Sequence, residues 1–274
     1  MLGKLFKHEV KATGRTFLPM YGALLILTIF TKLALTIGAP DFFTDNIATG
    51  PVAEVILGIT FTLYVIFITA LCVMTFVVII QRFYKNLFTD EGYLMFSLPV
   101  KTWELILSKL LVGLMWSVVC CLMLVISIFI LSLGSFSMLE VVQDINMAYT
   151  DFYTQFGMSL NIILFELFLC MLVSTISSIL LIYASIAIGQ LFNQHRVLAS
   201  FGAYIVITVV LQIIVSIILV AVPILANLDI LFSGIDGIKA AQWLINGTTL
   251  INLVLCVIFY FCTQYIMEKH LNLE

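Results

Sequence analysis

Charged residues are scarce in this sequence: Asp, Glu, Lys and Arg make up 10% of its 274 residues, while 63% are hydrophobic. Soluble globular domains have about a quarter of their residues charged and about half apolar. The composition therefore excludes an ordinary soluble domain and predicts a membrane protein. Basic runs interleaved with aromatic residues are also missing, which argues against a nucleic-acid partner.

Motifs for metal, redox and nucleotide chemistry are missing as well. The six cysteines lie within apolar runs, and none forms a CxxC pair or stands near His at zinc spacing, so packing is their expected role. No GxxxxGK[ST] phosphate loop occurs, so the chain cannot hold ATP by that motif. Intramembrane proteases need histidine at membrane depth. The three histidines of this chain instead lie outside the long apolar stretches, at His8, His195 and His270. The sequence predicts no catalytic residue, no metal site and no resident cofactor.

Six apolar stretches are long enough to cross a bilayer, which takes about 20 residues. They lie at residues 18–38, 52–82, 103–133, 157–191, 198–226 and 243–267. We therefore predict an all-α membrane protein with six transmembrane helices, forming a single transmembrane domain over residues 1–274. The start of the fourth stretch is the least defined, because its first turns also fit a separate outer segment.

The segment 1–17 predicts an amphipathic helix lying along the membrane surface. At 100° per residue the basic residues gather on one side of the helix, and apolar residues such as Phe6 gather on the other. A secretory signal would instead place one basic cluster directly before an apolar core. The basic residues of this predicted interfacial helix are Lys4, Lys7, Lys11 and Arg15.

The distribution of Lys and Arg predicts the orientation. Ten of the twelve lie in or beside four segments that share one side of the membrane. These segments are the N-terminus, the connection between spans 2 and 3, the connection between spans 4 and 5, and the C-terminus. Lys32 and Lys239 lie on the opposite side, near span ends. Since cytoplasmic loops are enriched in Lys and Arg, both termini are expected in the cytoplasm of a multi-pass protein of the plasma membrane.

A short polar stretch, "TDEGYLMFSLPV", lies between the second and third spans. Thr89 is a good helix N-cap, Asp90 and Glu91 suit the first turn, and Pro99 stops the helix. We predict a short cytoplasmic helix at about 89–98. Spacing alone leaves two interpretations open: a loop that fills the gap, or a coupling helix that docks on a cytosolic motor. The residues assigned to coupling are Thr89, Asp90, Glu91, Gly92, Tyr93, Leu94, Met95, Phe96, Leu98 and Pro99.

Two stretches resemble a known family. "RFYKNLFTDEGYLMFSLPVKTWELILSKLL" and "YASIAIGQLFNQHRVLASFGAY" resemble the membrane subunit of type-2 ABC exporters, and most closely the compact six-helix permeases common in Firmicutes. The resemblance covers the whole chain. It implies that helix 1–17 is an elbow helix and that helix 89–98 docks on a nucleotide-binding subunit.

The resemblance also implies partners. Two copies of a cytosolic ABC ATPase would hold ATP and Mg, and a second copy of this chain or a paralogous permease would complete the pathway. The expected function is outward movement of a peptide, an antimicrobial compound or a lipid-like molecule. A secondary transporter or a channel-like protein without an ATPase partner is the alternative, since polar residues within spans are typical of both classes.

Glu166 is the one acidic residue that the sequence places deep within a predicted span, about 15 Å from its outer end at helical rise. An ionisable residue at that depth is costly and marks a functional candidate. With Asn161 and Gln212, it predicts a substrate pathway or gate. The competing interpretation is a protonated Glu that only hydrogen-bonds a neighbouring helix, and the undefined start of this span also permits a position near the outer interface.

Overall fold

The computed structural model describes residues 2–38, 51–88, 101–133, 138–192, 195–225 and 236–269. The predicted coupling residues, from Thr89 to Pro99, and also His270 lie outside these ranges. Seven helices and no strand occur within them. The helices are α1 (Leu2–Gly38), α2 (Pro51–Phe88), α3 (Thr102–Ser132), α4 (Met138–Phe156), α5 (Leu160–Gly189), α6 (Arg196–Leu225) and α7 (Asp236–Lys269).

Six of the described helices are long and apolar enough to cross a membrane, and α4 is not among them. Large apolar side chains such as Ile26, Phe129 and Phe201 are exposed along them, as expected of surfaces that face lipid. The prediction of an all-α, multi-pass membrane protein is thereby confirmed. The six candidate spans are Leu2–Thr36, Gly58–Lys85, Thr102–Ser132, Leu160–Gly189, Arg196–Ile217 and Ala241–Lys269.

The predicted interfacial helix 1–17 is not a separate element. α1 runs without a break from Leu2 to Gly38 and passes through Pro19. Its basic side chains are exposed and its apolar side contacts protein: Phe17 is buried, and Phe6 and Val10 pack against the same core. The amphipathic pattern is therefore present, but part of the apolar stripe is covered by protein packing.

The fourth span begins three residues after the approximate start predicted at residue 157, because the chain turns there. Gly157 adopts a φ of 67°, and its N–H donates to the carbonyl of Tyr153 at 2.9 Å. A residue in the left-handed conformation with this hydrogen bond commonly ends an α-helix. α5 begins only at Leu160. The residues before the turn, 138–156, form α4 rather than the loop that the sequence predicted.

The chain divides into two compact units, Met1–Arg82 with Leu111–Val142, and Phe83–Leu110 with Gln143–Glu274. The first has a core around Trp116 on α3. Its indole N–H donates to the Thr13 hydroxyl at 2.7 Å, and its ring stacks on Phe17 with centroids 4.5 Å apart. Near the other end of α1, the Lys32 ammonium donates to the Leu131 carbonyl at 2.8 Å. The prediction of a single transmembrane domain stays a prediction.

The second unit contains most of α4, all of α5, α6 and α7, and the adjoining ends of α2 and α3. α5 and α6 form a hairpin in which Gly189 contacts Ser200 so closely that a side chain at residue 189 would overlap it. The Ser200 hydroxyl donates to the Arg196 carbonyl at 2.9 Å. His195, which precedes α6, has a φ of 55°, so the turn between the two helices ends in the left-handed region.

Candidate functional site

A polar cluster joins α5 to α7 in the second unit. The Gln242 amide donates to Oε1 of Glu166 at 2.8 Å, and the Asn246 amide donates to the same oxygen at 3.4 Å. Gln242 and Asn246 are four residues apart and therefore lie on one face of α7. A carboxylate from one span is thus solvated by two neutral amides from another.

The second oxygen of this carboxylate has no partner among the described residues. Oε2 of Glu166 is buried and makes no hydrogen bond. A buried polar atom without a partner carries a desolvation penalty, of the order of 1–3 kcal/mol. Such atoms need an explanation, and one explanation is a group that binds there only during function.

Glu166 lies less deeply than the sequence predicted. α5 begins at Leu160, so Glu166 is about 9 Å along the axis from the start of the helix rather than about 15 Å. Trp243, directly after Gln242 on α7, is 76% exposed, and tryptophan is enriched at membrane–water interfaces. The cluster therefore lies towards one end of the two spans.

The structure does not bring Asn161 or Gln212 into this cluster. The Asn161 side chain accepts a hydrogen bond from the Tyr149 hydroxyl at 2.9 Å, which ties α5 to α4. Gln212 is exposed on α6, where its backbone carbonyl accepts from Ser216 at 2.7 Å. The three predicted pathway residues thus have three different surroundings.

Gln242 and Asn246 were missed by the sequence reasoning. A detectable signal existed, because two amides at i, i+4 spacing interrupt the apolar start of the sixth span. Their pairing with Glu166 joins positions 76 and 80 residues apart, and only the packing of α5 against α7 reveals it.

Phe6, among the residues assigned to the elbow, lines a cavity. An apolar groove of about 470 Å³ lies between the start of α1 and α3 and is open to the surface. The basic side chains of the same helix, Lys4, Lys7, Lys11 and Arg15, are exposed. Because no polar group converges on the groove, its chemistry is that of an apolar contact surface. The lining residues are Leu2, Gly3, Phe6, Leu111, Leu114, Met115, Val118 and Val119.

Within the part of the chain that the structure describes, no group of three or more His, Cys, Asp or Glu could hold a metal ion. The Glu166 cluster can accept hydrogen bonds or a positive charge inside the membrane region, and it contains no nucleophile paired with a base. Comparison of this chain with protein-family models, with curated proteins and with solved structures gives no match.

Proposed function

We propose that this chain is the membrane-spanning permease subunit of an ATP-driven exporter. The observation that carries the proposal is how the two helices flanking residues 89–101 are anchored. α2 continues to Phe88 and α3 begins at Thr102, and side chains on both sides of the connection are buried. These buried side chains are Phe83, Leu87, Leu105 and Ile106.

The length of α2 supports a role outside the hydrocarbon region. Its 38 residues extend over about 57 Å, whereas the hydrocarbon core of a bilayer is about 30 Å thick. Tilt absorbs part of this excess. In the proposal, the end of α2, with the exposed Lys85, lies at the edge of the lipid on the side predicted to be cytoplasmic.

A motion of the connection would reach α5 directly. Phe83 on α2 stacks on Tyr183 of α5, with ring centroids 3.7 Å apart, and both side chains are buried. In the proposed mechanism, ATP binding closes two cytosolic ATPase subunits, and the segment 89–98 passes that movement to α2 and α3. Tyr183 then carries the displacement into α5, the helix that holds Glu166.

The proposal assigns ATP and Mg to the partner subunits and requires a second copy of this chain or a paralogous permease. The substrate class suited to spans with so few charges is a peptide, an antimicrobial compound or a lipid-like molecule. The proposed location is the plasma membrane, with both termini cytoplasmic.

The experiment is to look for an ABC ATPase gene beside this chain's gene and to co-purify the two proteins. Glu91→Lys or Leu94→Asp should reduce both the recovery of the ATPase and its stimulation in proteoliposomes, because either change alters the docking face. Gln143→Lys introduces a lysine at an exposed position on the predicted outer side and should change neither. Normal recovery and stimulation in both docking variants would reject the coupling role.

A secondary transporter without an ATPase is the second candidate, and Glu166 favours it, since ionisable residues within spans mark ion and proton pathways. Reconstitution of the chain by itself separates the two candidates. Transport driven by an ion gradient in the absence of any ATPase would support the second candidate and reject the first.

A further inference from the structure

α4 carries a row of exposed apolar side chains and, on its other side, exposed acids. Ile145, Tyr149 and Tyr153 are 50%, 36% and 62% exposed and follow one another at intervals of four residues. Asp144 and Asp151 are also exposed. At 3.6 residues per turn, the centre of the acidic pair lies about 150° around the helix from the centre of the apolar row.

α4 is not a straight extension of α5. The Tyr149 hydroxyl donates to Oδ1 of Asn161 at 2.9 Å. In a continuous helix the offset of twelve positions would separate these residues by about 18 Å along the axis, which the two side chains cannot bridge. The left-handed Gly157 provides the turn. α4 therefore turns away from the axis of α5 at the start of that helix.

The same hydrogen bond fixes the rotation of α4 about its own axis. Tyr149 is the middle member of the apolar row, and its side chain reaches the first turn of α5. The row therefore faces the end of the span, and Asp144 and Asp151 face away from it.

α5 is long and apolar enough to cross the bilayer from Leu160, which puts the start of α5 at a membrane surface. Exposed Ile162 and Phe165 continue the apolar surface onto the first two turns of α5. A helix with one apolar and one charged face, held flat at this level, lies between the headgroups and the acyl chains. Tyrosine suits that boundary because its ring is apolar and its hydroxyl is polar.

The geometry points to α4 as an interfacial helix whose apolar row, Ile145, Tyr149 and Tyr153, binds the lipid bilayer. The acids that face away from the membrane favour a neutral or zwitterionic lipid surface, since a negatively charged one would repel them. This assignment requires only that α5 crosses the membrane. It holds whether or not an ATPase drives the protein.

The test uses the full chain in nanodiscs of zwitterionic phosphatidylcholine brominated on the acyl chains. Ile145→Trp places an indole in the row, and Asp144→Trp places one on the acidic side of the same turn. The emission of Trp103, Trp116 and Trp243 in the parent protein is subtracted from both. The added emission of Ile145→Trp should lie at shorter wavelength, because its surroundings are apolar, and bromine should quench it, while acrylamide in water should quench that of Asp144→Trp.

Equal responses of the two variants would overturn the proposal. So would an Ile145→Trp emission that neither bromine nor acrylamide quenches, because a protein surface would then cover the row. If either variant fails to fold, Tyr153→Trp and Asp151→Trp form a second pair on the same two faces. Tyr149→Phe, combined with Ile145→Trp, should weaken bromine quenching because it removes the bond that sets the rotation of α4.

Discussion

The rings of Phe83 and Tyr183 lie parallel, with centroids 3.7 Å apart and planes inclined by 6°. The contact joins the last turns of α2 to α5, and both side chains are almost fully buried. Phe88 adds an edge contact to Phe83 at 5.7 Å. This aromatic group therefore fixes the end of α2 at the point where the chain leaves for the predicted coupling segment.

Shortening Phe83 should destabilise this region. Lipid tails are as apolar as a protein interior, so the loss comes mainly from packing rather than from transfer into water. An aromatic pair contributes roughly 1 kcal/mol beyond its buried area, and Phe83→Ala adds a cavity to that loss. We expect Phe83→Ala to lower the melting temperature in detergent more than Phe83→Leu does. Phe165→Ala, at a position that is 64% exposed, is the control, and an equal decrease there would contradict the packing role.

The spans were predictable because their signal is local. A continuous apolar run of bilayer length leaves little choice of structure, and α6 (Arg196–Leu225) lies within two residues of the prediction at both ends. α4 was missed because a search for long apolar stretches finds only helices that are apolar on every side. The sequence of α4 instead alternates apolar residues, Ile145, Tyr149 and Tyr153, with acids. The predicted boundary at residue 17 rested on the change from a basic amphipathic segment to an apolar run, whereas α1 is continuous from Leu2 to Gly38, and its Thr13 and Phe17 contact Trp116.

Gly189 is predicted to be essential to the α5–α6 hairpin. A Cβ at this position would lie 2.5 Å from the backbone nitrogen of Ser200 and 2.6 Å from its Cα. Backbone atoms cannot move aside cheaply, so Gly189→Ala should separate the two helices and lower both yield and melting temperature. Gly202→Ala is the matched control, because nothing lies within 4 Å of its Cβ. Alanine favours a helix over glycine by up to about 1 kcal/mol, so the control should be neutral or stabilising. Unchanged stability of Gly189→Ala would show that the hairpin packs differently.

The orientation is predicted from the positions of Lys and Arg and can be tested by labelling. Lys7, Lys101, His195 and Gln143 are all exposed. Cysteines that replace the first three should react with an impermeant maleimide only from the cytoplasmic side, and a cysteine at Gln143 only from the outside. The parent protein serves as the blank, because its six cysteines lie in apolar helices. One introduced cysteine that reacts from the wrong side would require the spans to be redrawn.

The candidate site was predictable only in part. Glu166 stands out in the sequence because a carboxylate in an apolar run is costly, and that cost is a property of one position. Gln242 and Asn246 mark one face of α7 in the sequence, but which span packs against that face depends on tertiary contacts that a single sequence does not reveal. For the same reason Asn161 was grouped with Glu166, although its side chain binds Tyr149.

Substitutions at Glu166 should separate a role in transport from a role in holding α5 to α7. Glu166→Gln keeps an oxygen that can accept from Gln242 and Asn246, and it removes the charge. Glu166→Ala leaves the Gln242 amide without its acceptor, at a cost of about 1–3 kcal/mol. We expect Glu166→Gln to match the parent in yield and melting temperature, and Glu166→Ala to lower both.

Activity then decides between the two roles. If the unpartnered Oε2 receives a group of the substrate, Glu166→Gln should lower transport in proteoliposomes, because an amide nitrogen in place of Oε2 cannot accept that group's hydrogen bond. Gln242→Ala is the matched control: it removes the donor to Oε1 at 2.8 Å and leaves the charge in place, so it should lower stability more than transport. Parental transport by Glu166→Gln at parental yield would falsify the functional role, and Glu166 would then serve only to join α5 to α7.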